Sequence, residues 1–143
     1  MNRTELLSAL QLDRFIAFDF ETTGLEVAND RPIEVAAVLF EHGKPSDRFC
    51  TLINPDLPIS NLIQDITGIT NEMVSDAPKE NDVIDKLLNF LSDIPIVAHN
   101  TPFDVAFLKA MAQRTGNELK NRKYYDTLTL SRAFLFFQPS HNL

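Results

Sequence analysis

Arg14-Phe15-Ile16-Ala17-Phe18-Asp19-Phe20-Glu21-Thr22 decides the fold. Aromatic and aliphatic residues dominate it, and it runs into Thr22-Thr23-Gly24, so it reads as a strand ending in a turn. Side chains alternate along a strand, which puts Asp19 and Glu21 on one face, about 7 Å apart, and Phe18 and Phe20 on the other. Two carboxylates on an apolar strand repel one another and are costly to desolvate. A divalent cation removes both penalties, and hard oxygen ligands suit Mg²⁺ or Mn²⁺. A pair of exposed edge-strand acids is the plainer alternative for a bare D-x-E. The loop Thr22-Thr23-Gly24-Leu25 adds hydroxyls, backbone N–H groups and a permissive glycine, which suits close approach of a nucleotide phosphate or sugar. An ordinary strand-ending turn is its alternative.

Outward from this strand, IEVAAVLFEHG from Ile33 reads as a second strand, closed by the turn signal His42-Gly43-Lys44-Pro45. DRFCTLINP, Asp47 to Pro55, reads as a third, and short connections imply an antiparallel meander. A short helix over residues 3–11 leads in. The middle of the chain reads as helical: Asn61 to Thr67, a turn from Asn71, then a longer helix with Pro78 just inside it. In that helix Val83, Ile84, Leu87, Leu88 and Leu91 recur at helical spacing. IPIVAHN is a short buried strand, PFDVAFLKAMAQR a helix running to Thr115-Gly116, Tyr124-Tyr125-Asp126 a brief extended piece, and Thr127 to Phe137 a last helix. Three strands followed by alternating helices and strands predict an α/β fold with a mixed sheet, in a single domain over 1–143.

Asp104 is the third acid. It falls in the first turn of the helix opened by Thr101-Pro102, where a carboxylate also complements the helix dipole. Phe107, Leu108 and Met111 follow it at i+3, i+4 and i+7, so Asp104 belongs to the inward face and needs a partner there. The strand bearing Asp19 and Glu21 could bring a metal to it. His99 reads as a hydrogen-bonding structural group, and Asn100 as a residue that fixes the start of the helix.

Composition narrows the partners. The formal charge of −7 argues against gripping nucleic acid by bulk electrostatics. The charge is uneven: residues 105–143 hold six basic and two acidic groups, and residues 1–104 hold seven basic and eighteen acidic. A basic C-terminal third is compatible with local steering of a nucleic-acid end, or with a solvated surface. No apolar run reaches the length of a membrane span, and MNRTELLSAL lacks the pattern of a secretory signal. The single cysteine, Cys50, reads as an inert core residue and fits a reducing cytoplasm.

Four ordered blocks, IAFDFETTGL, ISNLIQDITGIT, IVAHNTPFDVAFL and YYDTLTLSRAF, resemble the DnaQ-like (DEDDh) exonucleases. That group includes the proofreading epsilon subunit of bacterial DNA polymerase III and the exonuclease domains of PolC-type polymerases. The resemblance extends from Arg14 to Leu143. It implies a ribonuclease-H-like fold, four acids holding two divalent ions (Mg²⁺ or Mn²⁺), and removal of nucleotides one at a time from a 3′ end. Carried over by position, Asp19, Glu21 and Asp104 are the catalytic metal ligands, with Asp19 bridging the ions. Phe20, Thr22, Thr23, Gly24, Leu25, Asn100 and Phe103 are the expected substrate-binding positions. The expected partners are a single-stranded 3′ end of DNA or RNA and a DNA polymerase, in the cytoplasm.

Two departures stand against the pattern. The family's third motif, H-x-x-x-x-D, supplies a general-base histidine and the fourth acid, and neither is present. His141 in PSHNL matches a stretch upstream of that motif, Asp126 reads as a helix cap, and His42 falls in a turn. Thr67 in DITGIT stands where many epsilon-like members have histidine. The expectation is therefore a domain incomplete at its C-terminus. It would lack a helix laid on the sheet, leaving part of the core and the stretch Phe134, Leu135, Phe136 and Phe137 exposed. The alternative function is a catalytically impaired remnant that binds metal, a nucleic-acid end or a polymerase.

Overall fold

The computed structural model describes residues 2–135 and 137–142; Phe136 of the apolar stretch named above lies outside them, as do the two terminal residues. The chain order is α1 (Arg3–Ala9), β1 (Arg14–Thr22), β2 (Pro32–Glu41), β3 (Lys44–Leu52), α2 (Asn61–Thr67), α3 (Asn71–Ser75), α4 (Glu80–Leu91), β4 (Ile96–Ala98), α5 (Thr101–Arg114), β5 (Tyr124–Asp126) and α6 (Thr127–Phe134). The sheet order is β3-β2-β1-β4-β5. β1, β2 and β3 pair antiparallel, whereas β4 and β5 join parallel, so the meander and the mixed sheet are both as the sequence predicts.

Several boundaries differ from expectation. β3 begins at Lys44 rather than Asp47, because His42 and Gly43 both take positive φ (51° and 78°) and close a two-residue hairpin that keeps the strands paired up to the turn. Pro45 is tolerated because β3 is an edge strand. Pro78 lies outside α4, two residues before its first residue Glu80, where its carbonyl instead accepts the amide of Asn54 at 2.9 Å. α6 ends at Phe134, short of the predicted Phe137. Cys50 is exposed rather than core, because its place opposite Ala36 puts it on the open sheet face, whereas its neighbour Phe49 packs against the core.

One face of the sheet carries the core. Ile16, Phe18 and Phe20 of β1, Val35 and Ala37 of β2 and Ile96 of β4 meet Ile84, Leu87 and Leu91 of α4 and Phe107, Leu108 and Met111 of α5. Phe18 and Phe20 form an edge-to-face pair 4.9 Å apart, which confirms the alternation read in β1. A second cluster of Ile33, Ile59, Ile69 and Val74 seats α3 and the segment around α2 against the end of β2. The opposite sheet face presents Ala17, Asp19, Ala36, Val38 and Val97, all half-buried or exposed, in an open groove of about 370 Å³ closed at one end by His99 and Thr127. Leu130, Phe134, Leu135 and Phe137 are also exposed. Among the described residues no helix is long and apolar enough to cross a membrane.

Phe107 is fully buried between α5 and the sheet. Phe107→Ala should lower unfolding stability by about 3–5 kcal/mol, read as a drop in urea midpoint at unchanged slope.

Candidate active site

Asp104 reaches β1 because β4 is short. It pairs with β1 only at Ile16 and Ala17, whereas β1 continues to Thr22. Beyond that point the Phe20 amide, facing away from β2, has no strand to bond. Asp104 supplies the acceptor: its Oδ1 takes the Phe20 N–H at 2.9 Å. The β4–α5 turn makes this reach possible, with Asn100 in left-handed backbone (φ 65°) and α5 starting at Thr101. Asp104 is 2% exposed, as its place on the inward helix face requires.

Its surroundings oppose ionisation. Burial, the largest effect, together with the charges of Asp19 and Glu21 pushes the Asp104 carboxyl up to about 7, although the Phe20 amide pulls the other way. Asp19, exposed on β1, is shifted upward by desolvation of its carboxyl. Glu21 is shifted upward by desolvation, then by Asp19 and by Glu34. Glu34 lies directly opposite Glu21 across the β1–β2 pair. Like charges so placed destabilise a sheet. Sequence reasoning missed Glu34, since only the strand register reveals it. Among the described residues no three His, Cys, Asp or Glu side chains are gathered closely enough to hold a metal ion as they stand. The donor set is nonetheless of the kind a hard divalent cation takes: three carboxylates, of which Asp19 raises the proton affinity of Glu21 and of Asp104, and Glu21 that of Asp104.

The loop after the acids is built from its own polar groups. Thr22 is buried and donates its hydroxyl to the Gly24 carbonyl at 2.6 Å. The Thr23 hydroxyl donates to Asp30 at 2.8 Å and accepts the Arg31 amide at 3.0 Å. Asp30 also accepts the Glu26 amide, and a side chain at Gly24 would fall 2.4 Å from the same carboxylate and displace it. Leu25, at the tip, is 79% exposed.

The remaining positions separate. Phe20 corrects its expected role: its side chain is in the core, so what it offers the site is its amide. Phe103 is half-buried against Phe107, with ring centroids 4.8 Å apart. Asn100 is exposed, and its backbone rather than its side chain anchors the helix start. His99 contacts the Thr127 hydroxyl through Nδ1 at 3.0 Å, the structural role expected of it. The Thr67 hydroxyl is engaged within its own helix end, donating to the Ile63 carbonyl and accepting the Ile69 amide. His141 contacts Ser131, and His42 sits in the β2–β3 turn.

A five-stranded mixed sheet in this order, with acids on its central strand and on the helix after β4, defines a ribonuclease-H-like exonuclease fold. Residues 16–143 match the RNase T family of exonucleases, and the chain belongs to it, as a DnaQ-like exonuclease. It is 46% identical over 118 residues to the PolC-type DNA polymerase III of Caldanaerobacter subterraneus subsp. tengcongensis, covering 82% of this chain and 8% of that protein. It is 41% identical over 131 residues to the PolC-type DNA polymerase III of Bacillus cereus, covering 92% of this chain and 9% of that protein. The chain thus spans less than a tenth of the length of these curated relatives. The structure of Escherichia coli exonuclease I in complex with a dA16 oligonucleotide superposes with a TM-score of 0.78 at 20% identity, over 90% of this chain and 31% of that one.

The Asp104 carboxyl binds its proton more tightly folded (about 7) than in its ordinary state (3.8), so its stabilising contribution is present below about pH 4 and is lost as pH rises through 7. Asp104→Asn keeps an acceptor for the Phe20 amide without the charge. In metal-chelated buffer at pH 8 it should be more stable than the parent by about 2–4 kcal/mol, with the difference vanishing towards pH 4 in urea titrations.

Proposed function

We propose that the chain is the acid-bearing part of a 3′→5′ exonuclease that hydrolyses single-stranded DNA from its 3′ end, as in polymerase proofreading. The observation that carries this reading is the Phe20–Asp104 hydrogen bond, which brings a buried carboxylate into the field of Asp19 and Glu21. Membership of the RNase T exonuclease family supports it, as do the PolC-type polymerases among its relatives and the oligonucleotide held by exonuclease I. A polymerase is the corresponding partner, and replication places the protein in the cytoplasm.

Asp19, Glu21 and Asp104 are the residues that would hold Mg²⁺ or Mn²⁺, two ions in the family's arrangement. Bound there, the metal supplies a more acidic water and neutralises charge developing on the phosphodiester. The protein's own part is to hold the carboxylates in place although their surroundings favour the protonated forms. Asp104 is least ready to ionise alone, so cation binding and its loss of a proton are coupled. The Thr22–Leu25 loop, stiffened by its internal hydroxyl bonds, presents Leu25 as an apolar contact for a terminal base. Asn100 and Phe103 stand at the start of α5, beside Asp104. With a chain charge of −7, the strand is held by local contacts and by the cation, not by a basic surface. A second reading, a module that binds metal or a strand end without cleaving it, draws on the reluctance of Asp104 to ionise by itself.

The test is shortening of a 3′-labelled and a 5′-labelled single-stranded oligonucleotide with Mn²⁺. Stepwise shortening from the 3′ end is expected, reduced about 100-fold or more in Asp19→Ala and Glu21→Gln. Equal rates in parent and variants sink the assignment. Cation-dependent binding without shortening selects the second reading, and degradation of RNA alone changes the substrate.

A further inference from the structure

Helix α5 begins without a cap of its own. Asn100 at its N-cap has left-handed backbone (φ 65°, ψ 53°), and its side chain makes no capping hydrogen bond. The first amides of a helix need acceptors, and here the acceptor comes from another element. Asp126, at the end of β5, accepts the Asn100 amide at 2.8 Å and the Thr101 amide at 3.4 Å through Oδ1. The same oxygen accepts the Leu128 amide at 3.0 Å and so caps α6, while Oδ2 accepts the Thr129 hydroxyl at 2.9 Å. One carboxylate thus caps two helices. Burial alone would raise its pKa, but the donations from Thr129, Asn100, Leu128 and Thr101 outweigh it and hold the carboxyl below its ordinary value. Thr101 adds a second tie, its buried hydroxyl lying 2.7 Å from the Tyr125 carbonyl and 3.0 Å from that of Ala98.

What this junction holds in place is the first turn of α5, and Asp104 stands in that turn. A left-handed non-glycine residue persists only where its neighbours over-determine it. We infer that Asp126 is a positioning residue for Asp104: by capping α5 from the neighbouring strand end it fixes where the Asp104 carboxylate meets β1. The effect on divalent-cation affinity that follows rests on the function proposed above; the effect on geometry does not.

Asp126→Ser separates the two caps, because serine still caps α6 but is too short to reach Asn100 as well. Asp126→Asn retains the long acceptor and serves as the conservative rescue. Thr70→Ala removes an ordinary cap elsewhere, the bond from Met73 N to Thr70 Oγ1 on α3, and controls for mere loss of stability. The first readout, without metal, is amide hydrogen exchange at Phe20, the donor to Asp104. Asp126→Ser should accelerate it about tenfold or more relative to Phe18, with Asn restoring most of the protection and Thr70→Ala leaving the ratio unchanged. The second is Mn²⁺ affinity, expected to fall about tenfold in Asp126→Ser and to hold in Thr70→Ala. An unchanged Phe20/Phe18 ratio in Asp126→Ser, or the same rise in Thr70→Ala, overturns the inference. Should the ratio rise while the parent chain binds no Mn²⁺, the positioning role stands and the cation reading fails.

Discussion

The hydrogen bond from the Phe20 amide to Asp104 joins the two halves of this molecule that carry charge, and the rest of the fold is arranged so that it can form. A carboxylate with 2% exposure is expensive to keep ionised, and two further carboxylates nearby raise the cost. Such a group holds its place only if the backbone around it is rigid. The sandwich of α4 and α5 on one sheet face provides the large-scale rigidity. The early stop of β4, the left-handed Asn100 and the shared cap from Asp126 provide the local part.

The acidic site works against the stability of the chain that bears it. Glu21 faces Glu34 directly across the sheet, beside Asp19, and each of these contacts favours the protonated form of Glu21. Phe18 and Phe20 secure the strand from the other face and so hold the conflict in place. Under the function proposed above, a cation that relieved this repulsion would draw part of its binding energy from it.

The two sheet faces differ in the same spirit. One is sealed by large aliphatic and aromatic side chains; the other shows small residues, Ala17, Ala36, Val38 and Val97, leading to Asp19 and His99. Small side chains on that face keep the approach to Asp19 low. The chain corresponds to less than a tenth of the PolC-type polymerases it resembles, so this face is one surface of a module within a larger frame in those relatives.

Much of this was legible in the residues themselves. Period-two alternation placed Asp19 and Glu21 opposite Phe18 and Phe20, and helical spacing turned Asp104 inward, because both are local consequences of backbone geometry. Strand and helix order, together with the family blocks, predicted the mixed sheet. What composition and spacing could not contain were relations between elements. The opposition of Glu34 to Glu21 depends on strand register, and the exposure of Cys50 on the sheet face to which its pairing with Ala36 assigns it. Asp126 shows the division most clearly. Its capping of α6 follows from its place just before that helix, but its capping of α5 follows only from the parallel pairing of β4 with β5, which brings two helix starts to one carboxylate.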